Sequence, residues 1–333
     1  MRRGRFLVQG AGACMLALLA AAPARADSAA LVFENDVLTP ESTDRNYTSG
    51  LVVSYTFDVD TTPRAMKRLG RSLLGFEMPE TYATVSLGQS IFTPQDIEVS
   101  ALLPDQHPYA GWLYLGGSLI SEARTYADVV TLELGVVGPS AGAEQVQRGV
   151  HRLINGIEPK GWDHQLKDEP GIHLAYDRVM RARALMDDGE GPLGIRFDVT
   201  PSFGASLGNI ATEARAGLAV RLGNGVENDF GPPRIRPSPV GPGILDPSTQ
   251  FRWYVFGGVY GRLVGYSEFL DGNLFRDSPA GVESKPLVGE LQAGLVLQWG
   301  GVALAYTFVE RTEEFRGQDG AQRFGALSLS VGF

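Results

Sequence analysis

Cysteine is almost missing from this chain: Cys14 is the only one in 333 residues. It sits in an N-terminal stretch with the marks of a leader, so the remainder can carry neither disulfides nor thiolate metal sites. A basic excess is missing too. With 29 Lys and Arg against 38 Asp and Glu, the formal charge is −9, which suits a nucleic-acid binder poorly. After residue 26 no apolar run approaches the roughly 18 residues of a membrane-crossing helix. Histidine is scarce, with only His107, His151, His164 and His173.

The leader is expected over residues 1–26. Arg2, Arg3 and Arg5 form a positive start, Ala11 to Ala22 an apolar centre, and Ala24-Arg25-Ala26 a small-residue cleavage site. Its centre is too short to serve as a retained spanning helix. Cleavage would remove four arginines and no acid, moving the charge from −9 to −13 and leaving 27–333 as one domain. That length is large for one domain, but barrels often exceed the usual size. Mean hydropathy is near zero, as in soluble proteins and in barrels whose apolar residues are diluted by alternation.

Alternation is what the chain has in quantity. Leu291, Ala293, Leu295, Leu297 and Trp299 interleave with Glu290, Gln292, Gly294, Val296 and Gln298. Leu327, Leu329, Val331 and the final Phe333 interleave with Ser328, Ser330 and Gly332. Period two with one polar face means strands between two different environments. About twelve such runs occur, near 28–36, 47–58, 81–93, 110–124, 126–138, 170–185, 192–207, 211–223, 251–266, 286–299, 301–313 and 322–333. Many are about ten residues long, the length a tilted strand needs to cross hydrocarbon. A secreted β-sandwich would also alternate, but with shorter strands. The pattern therefore predicts an all-β, transmembrane, antiparallel up-and-down barrel of about 12 strands. Trp112, Tyr126, Trp253 and Trp299, near strand ends, are expected to be interfacial aromatics.

With both termini periplasmic, parity puts the first loop, after Asn35 and Asp36, on the cell surface. The fifth strand also ends there, before Gly138–Gly171, whose middle reads as a loop helix. Val146, Val150 and Leu153 recur at i, i+4 and i+7, with Ser140 as a possible cap. One stretch fits badly. The Gly/Pro-rich residues from Gly223 to Pro247 fall on the periplasmic side, where turns are short. Either that turn is unusual or the strand count fails there.

Three chemical features thus share one side: Asn35 with Asp36, Thr48, and His151. Each has an ordinary reading, since Asn-Asp is turn chemistry and a loop histidine is often merely solvated or packed. The other three histidines are equal candidates on composition. The sharper reading takes the carboxylate and carboxamide as hard oxygen ligands for calcium, and the imidazole as a general base on water. A polarising ion would then stabilise the oxyanion of an ester.

The segments "ENDV" (34–37), "NYTSGL" (46–51), "QSIFTP" (89–94) and "GVVGPSAGAEQVQRGVHRLING" (135–156), with the terminal "FGALSLSVGF", resemble the outer-membrane lipid A 3′-O-deacylases. The resemblance covers nearly all of the chain beyond the leader. It implies a twelve-stranded barrel with its site between the outer wall and a loop helix. It also implies Ca2+-dependent removal of the 3′-linked acyloxyacyl chain of lipid A. Asn35 and Thr48 fall on family site positions, Asp36 on the calcium ligand and His151 on the general base. For the family's glutamate after the histidine, Glu158 is the nearest candidate. A family lysine in the second surface loop has no counterpart, because Pro94 to Pro108 holds no Lys or Arg. Arg45, Arg148 and Arg152 are then the candidates for the substrate phosphate. The expected partners are lipopolysaccharide and outer-membrane lipids, with no nucleic acid and no obligate protein beyond the barrel assembly machinery. A phospholipase and a non-enzymatic pore or structural barrel remain the alternatives.

Overall fold

A computed structural model describes residues 27–39, 45–74, 80–182, 194–226, 229–231, 234–235 and 250–333; the expected leader lies outside the described residues. Twelve strands follow in order: β1 Ser28–Asn35, β2 Asn46–Phe57, β3 Glu80–Thr93, β4 Ala110–Ala123, β5 Tyr126–Val137, β6 Glu169–Met180, β7 Arg196–Gly208, β8 Ala211–Asn224, β9 Arg252–Ser267, β10 Leu287–Trp299, β11 Val302–Arg311 and β12 Gln322–Gly332. Each pairs antiparallel with its sequence neighbours, and β1 closes on β12 from Ser28↔Gly332 to Asn35↔Gly325. Closure leaves no open edge, which is the condition for strands to stand in hydrocarbon. Among the described residues three helices accompany them: α1 Arg64–Leu74, α2 Ala143–Ile154 and the single turn α3 Glu268–Asp271. Sequence periodicity anticipated α2 but not α1.

Both ends of the barrel mix tight turns with long connections, the terminus end having long ones from β2 to β3 and from β8 to β9. At the end holding both termini, β10 turns into β11 through Gly300 and Gly301 alone, both at positive φ. At the other, here the loop end, long connections join β3 to β4, β5 to β6 and β9 to β10. Helix α2 lies in the second of these.

The packing is inside out. Leu115 is 67% exposed on the outer wall, whereas Arg221 in the lumen is 1% exposed. Inside, Arg215 binds Asp177 and Glu213, Arg262 binds Glu213 and Glu314, and Arg311 binds Glu290. Trp112 departs from expectation: it is buried in the lumen and stacked on Tyr114, so it belongs to no interfacial girdle. Its even position puts it on the inward side of β4, beside the ring it stacks on. Trp299 does point outward, 70% exposed.

The awkward Gly/Pro-rich stretch is neither a miscount nor a short turn. Its described residues climb the lumen. Val226 packs with Tyr254 and Phe256, and Phe230 with Ala127 and Val179. Arg221 holds the Asp229 carboxylate at 2.5 Å. Farther on, Arg234 and Ile235 reach Glu34, one residue from the loop end of β1. The segment leaves β8 at the terminus end and so crosses much of the barrel's length.

Candidate active site

Along β1 the odd-numbered residues face outward, so Glu34 enters the lumen and Asn35 lies on the outer wall. Its carboxamide works in both directions: Nδ2 donates to the Thr48 carbonyl at 3.0 Å, and Oδ1 accepts from Val37 N–H at 2.8 Å. The second bond caps a 3-10 turn over Asp36–Leu38. Tyr306, on the outward side of β11, donates to the Leu38 carbonyl at 2.9 Å, pinning the turn against the outside of the barrel. Asp36 is thereby held with its side chain 3% exposed.

The chain re-enters β2 through Asn46, at φ 59, a left-handed conformation that asparagine tolerates better than most residues. The register then shifts between Tyr47 and Ser49, which makes Thr48 an extra residue in the strand. Such bulges re-aim side chains and are common beside active sites. Here Tyr47 packs inward on Phe324 and Phe92, while the Thr48 hydroxyl meets the Thr93 hydroxyl at 2.7 Å.

Helix α2 sits against the same outer wall, over β3 and β4. Gln89 Nε2 donates to the Ala141 carbonyl at 2.6 Å. Ile91, Ile97, Tyr109, Ala143 and Trp162 form one buried cluster between wall and loop. Gly111 makes the approach possible, since a Cβ there would lie 2.5 Å from the Ala143 methyl. The buried residues of α2 are Ala143, Gln147 and His151, one turn apart. His151 Nδ1 is bonded to the Ile157 carbonyl. If the Nδ1 proton makes that bond, Nε2 is left with its lone pair.

One expectation for α2 needs correcting. Ser140 does not cap it, because its N–H and hydroxyl both bond the Asp168 carboxylate, at 2.7 and 2.9 Å. The cap position is Gly142, without a side-chain bond. Val146, Val150 and Leu153, whose spacing marks the helix, are not its buried stripe. They are 45%, 49% and 77% exposed, and the polar face packs on the protein. Periodicity locates a stripe but cannot say which medium it faces, and outside this wall the apolar side points away.

The expected basic residues separate. Arg148 pairs with Glu144 at 3.0 Å and reaches Glu158 at 3.9 Å, and Arg152 donates to the Arg148 carbonyl at 3.3 Å. Arg148, Arg152 and Glu158 line an open cleft with His151 and Asn155. Arg45 lies elsewhere, donating to the carbonyls of Asp319 and Ala321 in the β11–β12 connection. The other histidines separate as well. His173 binds Glu133 in the lumen at 2.8 Å, and His107 is buried and stacked on Phe92. His164 ends a 3-10 turn after Trp162.

Sequence reasoning placed Gln147 one turn before His151 on the same side of the helix but gave neither it nor Thr93 a site role. Trp162 Nε1 donates to Gln147 Oε1 at 2.8 Å, and an indole N–H can only donate, so the amide orientation is fixed. Gln147 Nε2 is then a buried donor without a hydrogen-bond partner among the described residues. A signal was available. Val85 and Leu87 continue outward into Gln89, Ile91 and Thr93, so polar residues interrupt an apolar register.

Asp36 supplies a carboxylate and its surroundings supply carbonyl and hydroxyl oxygens, a donor set that suits a hard cation such as calcium rather than zinc. Among the described residues no group of three His, Cys, Asp or Glu gathers for a metal.

A closed twelve-stranded wall, apolar outside and ionic inside, defines an outer-membrane β-barrel, here with a polar cleft beside the helix on its outer face. The family described as "Outer membrane protein LpxR" matches residues 8–333, and the chain belongs to that family. The structure of LpxR from Salmonella typhimurium is similar at TM-score 0.74 and 20% identity, over 92% of this chain and 100% of that one. The β domain of the Bordetella autotransporter BrkA aligns at TM-score 0.44 and 12% identity, over 93% and 100%. No curated protein sequence matches. Family and fold place the protein in the outer membrane and support a role in lipid A modification there.

Proposed function

We propose that the protein is a lipid A 3′-O-deacylase, hydrolysing the ester of the 3′-linked acyloxyacyl chain in the outer leaflet. The observation that carries this is the position of His151. It lies on the buried stripe of a helix seated on the outside of the barrel, on the same outer face as the Asn35, Thr48 and Thr93 cluster. A lipid substrate reaches that face by moving within its leaflet, whereas a solute channel would put its chemistry in the lumen. The lumen, crossed by the β8–β9 segment, gives a pore little support.

In the proposed reaction His151 Nε2 takes a proton from water, and the hydroxide formed attacks the ester carbonyl. The tetrahedral intermediate collapses, the acyl group leaves as a carboxylic acid, and the proton held by His151 passes to the departing sugar oxygen. Ile157 keeps the ring oriented and Nδ1 occupied. Asn35 fixes the turn that presents Asp36, and Thr48 and Thr93 brace its floor. Calcium, held by Asp36, would supply charge for the developing oxyanion. Arg148 and Arg152 stand on the cleft rim where a phosphate would meet them, with Glu158 holding Arg148.

The test is mass spectrometry of lipid A incubated with detergent-folded protein, in calcium or in EDTA. Loss of one acyloxyacyl group, in calcium only and absent in His151→Ala, is the expected result. Loss of an unbranched chain, or loss that survives EDTA, would overturn the site assignment. Hydrolysis of phospholipid alone would move the substrate to another class.

A further inference from the structure

We infer that the segment rising through the lumen acts as a strut for the site outside, with Arg234 as its positioning residue; this rests on the proposed deacylase reading. Asn35 and Asp36 have their geometry only if β1 is fixed at its last residues, and Glu34 is the residue before them. Glu34 is 1% exposed, and its Oε1 accepts from Arg234 Nε at 2.6 Å and from Ile235 N–H at 3.1 Å. Both donors come from the connection that leaves β8 at the opposite end of the barrel.

The contact is built rather than incidental. Gly50 is the direct partner of Glu34 on β2, and a Cβ there would meet Ile235 Cδ1 at 2.7 Å and the Tyr47 hydroxyl at 2.0 Å. The missing side chain makes room for the segment. On the far side, the Arg234 guanidinium stands over the Phe324 ring at 5.6 Å and reaches Glu290 at 3.9 Å, itself bound by Arg311. Phe324 neighbours Gly325, the β12 partner of Asn35. Arg234 therefore holds β1 through Glu34 and stands on β12 through Phe324, while Ile235 beside it meets β2 at Gly50, all from behind the wall. A carboxylate this buried depends on its hydrogen-bond donors, so its position follows its partner.

A residue acting this way affects one corner, whereas a residue that merely stabilises the barrel affects every strand. The test is hydrogen exchange of the folded full chain in detergent, with lipid A turnover measured on the same samples. In Arg234→Ala the amides of Val37 and Thr39 are expected to exchange at least about tenfold faster, while α2 and the distant strands β6 to β8 keep their rates. Turnover falls with kcat, KM staying within about twofold, because the cleft on α2 is untouched. Arg234→Lys, which keeps the charge, recovers most of both.

Unchanged exchange at 36–39 in a folded Arg234→Ala barrel would overturn the strut, as would a uniform rise in all strands. If Arg234→Ala does not fold, Ile235→Ala decides. It keeps the ion pair, and a local rise of about threefold is expected, with no rise counting against the proposal. A wild-type protein inactive on lipid A, with the exchange result intact, would sink the deacylase reading and leave the strut standing.

Discussion

The lumen and the outer cleft are both polar, yet they use polarity differently. Inside, charge meets charge: Arg215 sits between Asp177 and Glu213, Arg262 between Glu213 and Glu314, Arg311 between Glu290 and Glu314. Outside, the residues of the wall itself, Asn35, Thr48, Thr93 and Gln89, mostly bond backbone or one another and carry no charge, and the charged pair Arg148–Glu144 lies above them on α2. A lumen must satisfy every buried group, so its network is a requirement of the fold. An outer wall needs no polar residue at all, because lipid rewards apolar ones. Polar side chains in that register cost stability, and a reason other than the fold must keep them there. The difference separates two histidines that composition could not: His173, tied to Glu133 inside, and His151, held on the outside.

The largest expected effect tests that separation. His151→Ala should lower lipid A ester hydrolysis by about 10²–10⁴-fold while the barrel still shows heat-modifiable migration on gels. His173→Ala should do the reverse, lowering resistance to urea and leaving the rate per folded molecule within about threefold. Equal losses of activity would erase the contrast. Glu213→Gln comes next. It removes the carboxylate between Arg215 and Arg262, and breaking such a buried pair typically costs about 3–5 kcal/mol. Urea titration of folding into detergent would read that cost, with catalysis per folded molecule unchanged.

A smaller effect is expected where helix meets wall. Gly111→Ala places a methyl 2.5 Å from that of Ala143, so α2 must shift. Overpacking of this kind costs about 1–3 kcal/mol, borne by the helix rather than the barrel. Turnover should fall by about tenfold or more, with urea resistance close to wild type. A full loss of folding would mean that α2 belongs to the wall's stability and not to the site alone.

Much of the wall was legible because alternation is local. Glu290 to Trp299 states its two faces residue by residue, and the structure keeps them. What failed depended on partners far away in sequence. The bulge that frees Thr48 is a mismatch of β2 against β3, and nothing within β2 announces it. Arg234 and Glu34 are 200 residues apart, so the Gly/Pro-rich stretch looked like an ill-fitting turn. The α2 stripe was legible, but not the side it faces, because periodicity carries no sign for the surroundings. Trp112 was misplaced for a similar reason: a large aromatic near a strand end suits an interface or a lumen, and only its register decides.

The smallest effect concerns a third kind of polar site, at the loop end. Glu268, in α3, is fully buried beside Glu169, and Asn209 Nδ2 donates to both, at 3.0 and 3.2 Å. Glu169 also accepts from the N–H groups of Leu274 and Phe275, while Glu268 has Asn273 Nδ2 at 3.2 Å. Burial, and then the neighbouring Glu169, push the Glu268 carboxyl up to about 8. An unfolded glutamate titrates near about 4.3, so between about pH 4 and 8 the folded state holds a proton that the unfolded state has released. Stability must therefore fall as pH rises through that window, by at most about 1.4 kcal/mol per pH unit, and level off above it. Glu268→Gln should flatten this part of the profile and be the more stable protein at pH 8. Thermal unfolding of both proteins across pH 5 to 8, about the interval in question, would measure it. The pH profile of ester hydrolysis should be the same in the two, because Glu268 belongs to neither α2 nor the Asn35 corner. A shift of that profile in Glu268→Gln would join this buried pair to the outer cleft and dissolve the distinction between them.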